Sequence, residues 1–200
     1  MPAGAGERGA RRAALGHAHR RRGAPALRNF ALWLTGLPGS GKSAIARELL
    51  ALLHARGIDA AVLESDVLRT QLTPFPRYDR EERDFFYAAL AHLAEHLAAK
   101  GTPVIVDATA NLRAYRDVAR ARIARFAEVY VDTPCEVCAA RDPKGLYRAA
   151  REGKAATLPG AQAAYEPPLA PELVVQGDRG TPAASAAQIA DWLAVRGWLR

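Results

Sequence analysis

Gly36, Leu37, Pro38, Gly39, Ser40, Gly41, Lys42 and Ser43 run in the order G-x-x-x-x-G-K-S. The chemistry this spacing serves is phosphate binding. Glycines let the backbone curl until successive N–H groups point inward, and a helix opening at the lysine adds its positive end. Lys42 would then reach the outer phosphates of a nucleoside triphosphate, and the Ser43 hydroxyl would ligate Mg²⁺. A second group is Asp66, in Glu64-Ser-Asp66-Val-Leu-Arg69. A carboxylate there can hold Mg²⁺ through water and accept the proton of an attacking hydroxyl; the plainer alternative is a helix N-cap. Arg69, one turn on, suits an anionic acceptor. Asp107, after Val104-Ile-Val106, competes with Asp66 for the metal. Arg141, Lys144, Arg148, Arg151 and Lys154 crowd one later stretch, where cations closing over a site would neutralise charge in phosphoryl transfer. A solvated basic surface is the other reading of that stretch.

These groups need elements to aim them. Residues 30–35 are a short apolar run rich in strand formers that feeds the glycine loop. From Lys42 to Arg56, Ile45, Leu49, Leu52 and Leu53 recur at helical spacing, and Gly57 ends the pattern. Alternation continues, with strands predicted over 60–64, 103–107, 128–132 and 173–176. Helices are predicted over 80–100, 113–125, a short one through Cys138, and 183–195. Five strands alternating with helices imply an α/β protein with a P-loop kinase fold, a parallel five-stranded sheet with helices on both faces. Ligands of such sheets gather at the carboxyl ends of the strands, which is where Gly36–Ser43, Asp66, Asp107–Asn111 and Asp132–Pro134 fall. The stretch from about 141 to 166 is too long for an idle connection and is a candidate lid.

Composition narrows the class. Two hundred residues make one domain with a single sizeable core. No apolar run approaches the ~20 residues a membrane-spanning helix needs, so no membrane association is expected. Residues 1–28 hold seven arginines against Glu7, a net +6 of the chain's +7. The basicity belongs to this extension, expected to be flexible, rather than to the domain at 29–200. A nucleotide-dependent switch or nucleic-acid module is thereby disfavoured, since no aromatic and basic platform accompanies the charge. Cys135 and Cys138 lack the further ligands a zinc site needs and read as packing residues of a reduced, cytoplasmic protein.

Taken together the motifs resemble the adenylyl-sulfate kinase family. Leu32 through Ser43 is similar to its phosphate loop and preceding strand, and Asp66-Val-Leu-Arg69 to its Asp-Asn-Val-Arg. Glu128-Val-Tyr-Val-Asp132, Arg141-Asp-Pro-Lys-Gly-Leu-Tyr147, Tyr165-Glu-Pro-Pro and Pro171-Glu-Leu173 follow in the family's order. The resemblance implies transfer of a phosphoryl group from ATP with Mg²⁺ to the 3′-hydroxyl of adenosine 5′-phosphosulfate, a small anionic nucleotide, by a homodimer. It implies Asp66 as base or metal partner, Arg69, Phe75, Arg80 and Lys144 around the acceptor, and Arg141 and Arg148 in the nucleotide lid. The acceptor side departs from the family at Arg83, at Thr109-Ala-Asn111-Leu-Arg113, and at Leu158, where the family carries a phenylalanine beside the acceptor's adenine. Arg83, Asn111, Arg113 and Leu158 are therefore the residues that would adapt this pocket. The same chemistry on a cytidine diphosphate derivative, a sugar or an antibiotic hydroxyl is the alternative these departures leave open.

Overall fold

A computed structural model describes residues 29–73, 75–154 and 157–199. The basic extension at 1–28 lies outside the described residues. Strand β1 (Ala31–Thr35) is buried on both faces, because Phe30, Leu32 and Leu34 pack to one side while Ala31 and Trp33 pack to the other. A strand apolar in every position belongs in the middle of a parallel sheet. It pairs in parallel with β3 (Val104–Asp107) on one side and β4 (Phe126–Asp132) on the other, while β2 (Ala61–Glu64) and β5 (Leu173–Gln176) form the edges. The order is β2-β3-β1-β4-β5, all parallel.

Helices α1 (Lys42–Ala55) and α7 (Pro182–Val195) cover the face of Leu32 and Leu34 through Ile45, Leu49, Leu53, Ile189 and Leu193. Helices α3 (Arg80–Ala99) and α4 (Arg113–Arg122) cover the face of Trp33 through Phe86, Leu90, Ala94 and Tyr115. The connection from β1 runs to β2 on one side, and the one from β3 passes β1 to β4 on the other, so the crevice at the carboxyl end of β1 is the topological switch point where ligands of such sheets bind.

Three elements depart from the sequence reading. Helix α2 (Ser65–Leu72) follows β2 directly. Helix α6 (Leu146–Arg151) gives the candidate lid regular structure near its start, while α5 (Cys135–Arg141) is the short helix expected through Cys138. Strand β4 begins at Phe126, two residues before the expected strand, because α4 already ends at Arg122.

Candidate active site

The loop between β1 and α1 crosses back over the carboxyl end of β4. Gly36 has a φ of 151°, and a Cβ there would lie 2.5 Å from the Val131 carbonyl oxygen. At Gly39, φ is 80° and a Cβ would lie 2.9 Å from the Cys138 carbonyl oxygen. Only glycine fits either place. The turn closes through the Ser40 N–H to the Leu37 carbonyl at 3.1 Å, the Thr133 hydroxyl to the Ser40 carbonyl at 3.1 Å, and the Tyr147 hydroxyl to the Pro38 carbonyl at 3.0 Å. Buried Cys138 packs beneath it.

Lys42 folds into this turn, its Nζ donating to the carbonyls of Gly36 at 3.0 Å and Leu37 at 2.9 Å. Burial lowers its pKa from the ordinary lysine value, partly offset by the carboxylates of Asp107 and Asp66. A lysine in contact with the field of two aspartates and held among loop carbonyls is poised for an anion.

A cavity of about 550 Å³ opens over the loop, lined by Gly39, Gly41, Lys42 and Ser43, by Asp66 and Asp107, by Arg141 and Lys144, and by the turn from Gln176 to Pro182. Its oxygen donors include the Ser43 hydroxyl and the carboxylates of Asp66 and Asp107, while the Asp142 carboxylate accepts from the Tyr147 and Arg148 N–H groups. Among the described residues no cluster of three His, Cys, Asp or Glu side chains could hold a metal unaided. That donor set fits Mg²⁺, which takes one or two protein oxygens and completes its shell from phosphates and water.

A second cavity of about 570 Å³ lies beside it, lined by Arg69, Tyr78, Arg83, Tyr87, Leu158 and Pro159 among others. Both cavities share Pro38, Ser65, Asp66, Thr109, Lys144 and Leu146. Asp66 stands in the first turn of α2, whose N-cap position belongs to Glu64 and carries no side-chain capping bond, so Asp66 is not a cap. Its carboxylate is ion-paired with Lys144, which reaches in from the start of the candidate lid. Burial pulls the Lys144 ammonium down, but the hydrogen bond to Asp66 and the charges of Asp66, Asp107 and Glu64 outweigh it, and its pKa is raised.

The other residues picked out from sequence divide in two. Arg69, Arg83 and Leu158 line the second cavity, and Arg141 lines the first. Arg69 is paired, with buried Glu82 holding its Nη1 at 2.6 Å and its guanidinium against the rings of Phe86 and Tyr78. Asn111 is buried and acts as a brace, accepting from Arg83 at 2.9 Å and donating to the Ala164 carbonyl at 2.9 Å. Phe75, Arg80, Arg113 and Arg148, like Asn111, border neither cavity. Phe75 is 91% exposed. Arg80 turns along its own helix to Asp84 at 2.7 Å. Arg113 donates to the Pro167 carbonyl at 2.8 Å. Arg148 is exposed at the surface of α6. In each case a nearer partner, or none, decides the direction.

Sequence reasoning missed Tyr78, Tyr87 and the Gln176–Pro182 turn. The last was findable, since it follows β5 at the same sheet edge as the other ligand loops. Tyr78 carried no signal in its spacing.

Residues 28–176 match the family described as adenylylsulphate kinase. The adenylyl-sulfate kinase of Microcystis aeruginosa is 37% identical over 172 residues, spanning 86% of this chain and 95% of the relative. A probable adenylyl-sulfate kinase of Archaeoglobus fulgidus is 37% identical over 151 residues, spanning 76% and 97%. Among solved structures, the Mycobacterium tuberculosis APS kinase in complex with AMPPNP and APS superposes with a TM-score of 0.79 at 36% identity, covering 83% of this chain and 98% of that one.

Proposed function

Because the chain belongs to the adenylylsulphate kinase family, we propose that it transfers the terminal phosphoryl group of ATP to the 3′-hydroxyl of adenosine 5′-phosphosulfate, giving ADP and 3′-phosphoadenosine 5′-phosphosulfate. The observation that carries this reading is the junction of the two cavities at Asp66. A donor over the glycine loop and an acceptor in the neighbouring cavity would meet at that carboxylate.

The loop amides and Lys42 hold the β- and γ-phosphates, and Arg141 covers them from the lid at 141–166. Ser43, with Asp66 and Asp107, would hold Mg²⁺, which neutralises the phosphate oxygens when bound. Asp66 takes the proton of the acceptor hydroxyl as its oxygen bonds to the γ-phosphorus and the bond to ADP breaks. Lys144, beside the same carboxylate, supplies positive charge to the phosphoryl group in transit. Arg69 and Glu82 form a neutral pair that shapes the acceptor cavity. The assembly expected is a homodimer, read from the protein's mass in solution.

ADP release should depend on adenosine 5′-phosphosulfate, and Asp66→Asn should lower kcat about a hundred-fold or more while ATP still binds. No stimulation at millimolar acceptor would sink the reading. A second reading keeps the chemistry and changes the acceptor to a cytidine diphosphate derivative, a sugar or an antibiotic hydroxyl. Leu158 and Arg83 in the acceptor wall favour it, and the same assay run across those acceptors decides between the two.

A further inference from the structure

Arg83 and Asn111, two of the positions at which the acceptor side departs from the family, meet in the fold, Arg83 Nη1 donating to Asn111 Oδ1 at 2.9 Å. The rest of the fork goes to backbone. Nε donates to the Tyr78 carbonyl at 2.9 Å and Nη2 to the Thr157 carbonyl at 2.7 Å. One guanidinium therefore joins three stretches of chain: the turn before α3, the loop after β3 and the second half of the candidate lid. All three accepting oxygens are neutral, although Arg83 is only 8% exposed. Its neighbour Arg69, similarly buried, is instead neutralised by Glu82. A rigid planar fork that reaches three separate acceptors fixes geometry, and its charge strengthens each bond.

Asn111 carries the connection along the lid. Its Nδ2 donates to the Ala164 carbonyl at 2.9 Å, and its own carbonyl accepts the Glu166 N–H at 2.8 Å. Between these anchors and Thr157 the chain folds on itself, since the N–H groups of Ala161, Gln162 and Ala163 all turn to the Leu158 carbonyl. Arg116 adds a bond at the Glu166 end, while Arg83 holds the Thr157 end. Thr157, Leu158 and Pro159 line the second cavity, as Arg83 does, whereas Asn111 borders neither cavity.

We propose that Arg83 and Asn111 form a brace that keeps residues 157–166 docked on α3 before substrate arrives, with Arg83 as a positioning residue of the acceptor cavity. A wall already in place costs a ligand no ordering, whereas a wall docked part of the time weakens apparent binding in proportion to the docked fraction. The inference deepens the function proposed above and takes from it only that the second cavity receives the acceptor.

Hydrogen exchange on the full, ligand-free chain reads the docking directly. The amides of the 158–163 turn should be protected in the wild type, and Arg83→Met and Asn111→Ala should each speed their exchange about ten-fold or more, the scale of one lost hydrogen bond to a charged group. In steady-state kinetics each variant should raise the KM for adenosine 5′-phosphosulfate by about the same factor and leave the KM for ATP unmoved. Two side chains that serve one brace are not additive, so the double variant should lose little more than either single one. Arg83→Lys keeps the charge without the fork and should restore neither readout. Melting curves separate release of the lid from loss of the whole fold, and should Arg83→Met fail to fold, Asn111→Ala carries the test. Freely exchanging turn amides in the wild type would overturn the brace. So would wild-type exchange and KM in Asn111→Ala, because that side chain reaches the cavity only through Arg83 and the lid. An effect confined to Arg83→Met and rescued by Arg83→Lys would make Arg83 a direct contact of the acceptor and equally end the brace. The two proposals fail separately. If adenosine 5′-phosphosulfate is phosphorylated while the turn exchanges freely, only the brace falls. If it is not phosphorylated but exchange responds to both variants as expected, only the choice of substrate falls.

Discussion

Lys42 is a charge held at a cost. An ammonium 7% exposed has given up most of its water, and the loop carbonyls and two aspartates only partly replace it. Retaining such a charge makes sense where a still stronger anion arrives. Lys42→Met keeps the length of the side chain and removes the charge, so the fold should survive while kcat falls about a hundred-fold or more, the scale expected for one lost electrostatic stabiliser in a water-poor site. Steady-state rates, with a melting curve as control, check both halves of that expectation. Arg69 illustrates the opposite outcome. Its type and place one turn beyond Asp66 suggested a grip on an anion, and its charge is already met by Glu82, thirteen residues away, as a buried cation requires.

Among the elements, the segment after the candidate lid is tied down far more firmly than its lack of regular structure suggests. Glu128, in β4, is 5% exposed and accepts from Arg116 and, at 3.2 Å, from Arg120. Arg120 continues to Glu172 at 2.8 Å, and the Glu128 N–H donates to the same carboxylate at 2.7 Å. Arg116 also donates to the Glu166 carbonyl at 2.7 Å. The chain from Glu166 to Glu172 is thus riveted to α4 and β4. Burial alone would push the Glu172 carboxyl up, but the Arg120 hydrogen bond and the Glu128 N–H outweigh it and hold the pKa below the ordinary 4.5. A depressed carboxyl pKa stabilises the fold above its unfolded value and loses that contribution as pH falls through the folded one. Stability should therefore drop below about pH 4.5. Glu172→Gln should flatten that acid limb and cost about 1 kcal/mol at neutral pH, a figure kept small because the pair is partly exposed. Urea titrations at neutral and acid pH measure both effects.

Across the whole molecule, the excess charge and the working parts are separate in sequence. Every residue that lines the two cavities lies between Pro38 and Ser185, whereas residues 1–28 hold +6 of the +7 net charge. Removing residues 1–25 should therefore leave the KM values for both substrates unchanged, because long-range attraction from a charged segment is screened beyond about 8 Å at physiological salt. A truncated protein that is folded but inactive would contradict this. Among the described residues no helix is long and apolar enough to cross a membrane.

What the amino-acid order determined alone is the part of the protein whose causes are local. The loop at Gly36–Ser43 needs positive φ and inward N–H groups, which glycine supplies wherever it stands, and the alternation of apolar runs with helical patterns already implied five parallel strands. Asp66 was legible for the same reason, as a polar residue following a buried strand. Only the tertiary structure decided which strand became central, that Asp66 borders two cavities at once, and which arginines line them. Arg83 reaches Thr157 and Arg113 reaches Pro167 across more than fifty residues of chain. A long cation points wherever its best partner lies, and spacing along the sequence carries no information about a partner brought near by the fold.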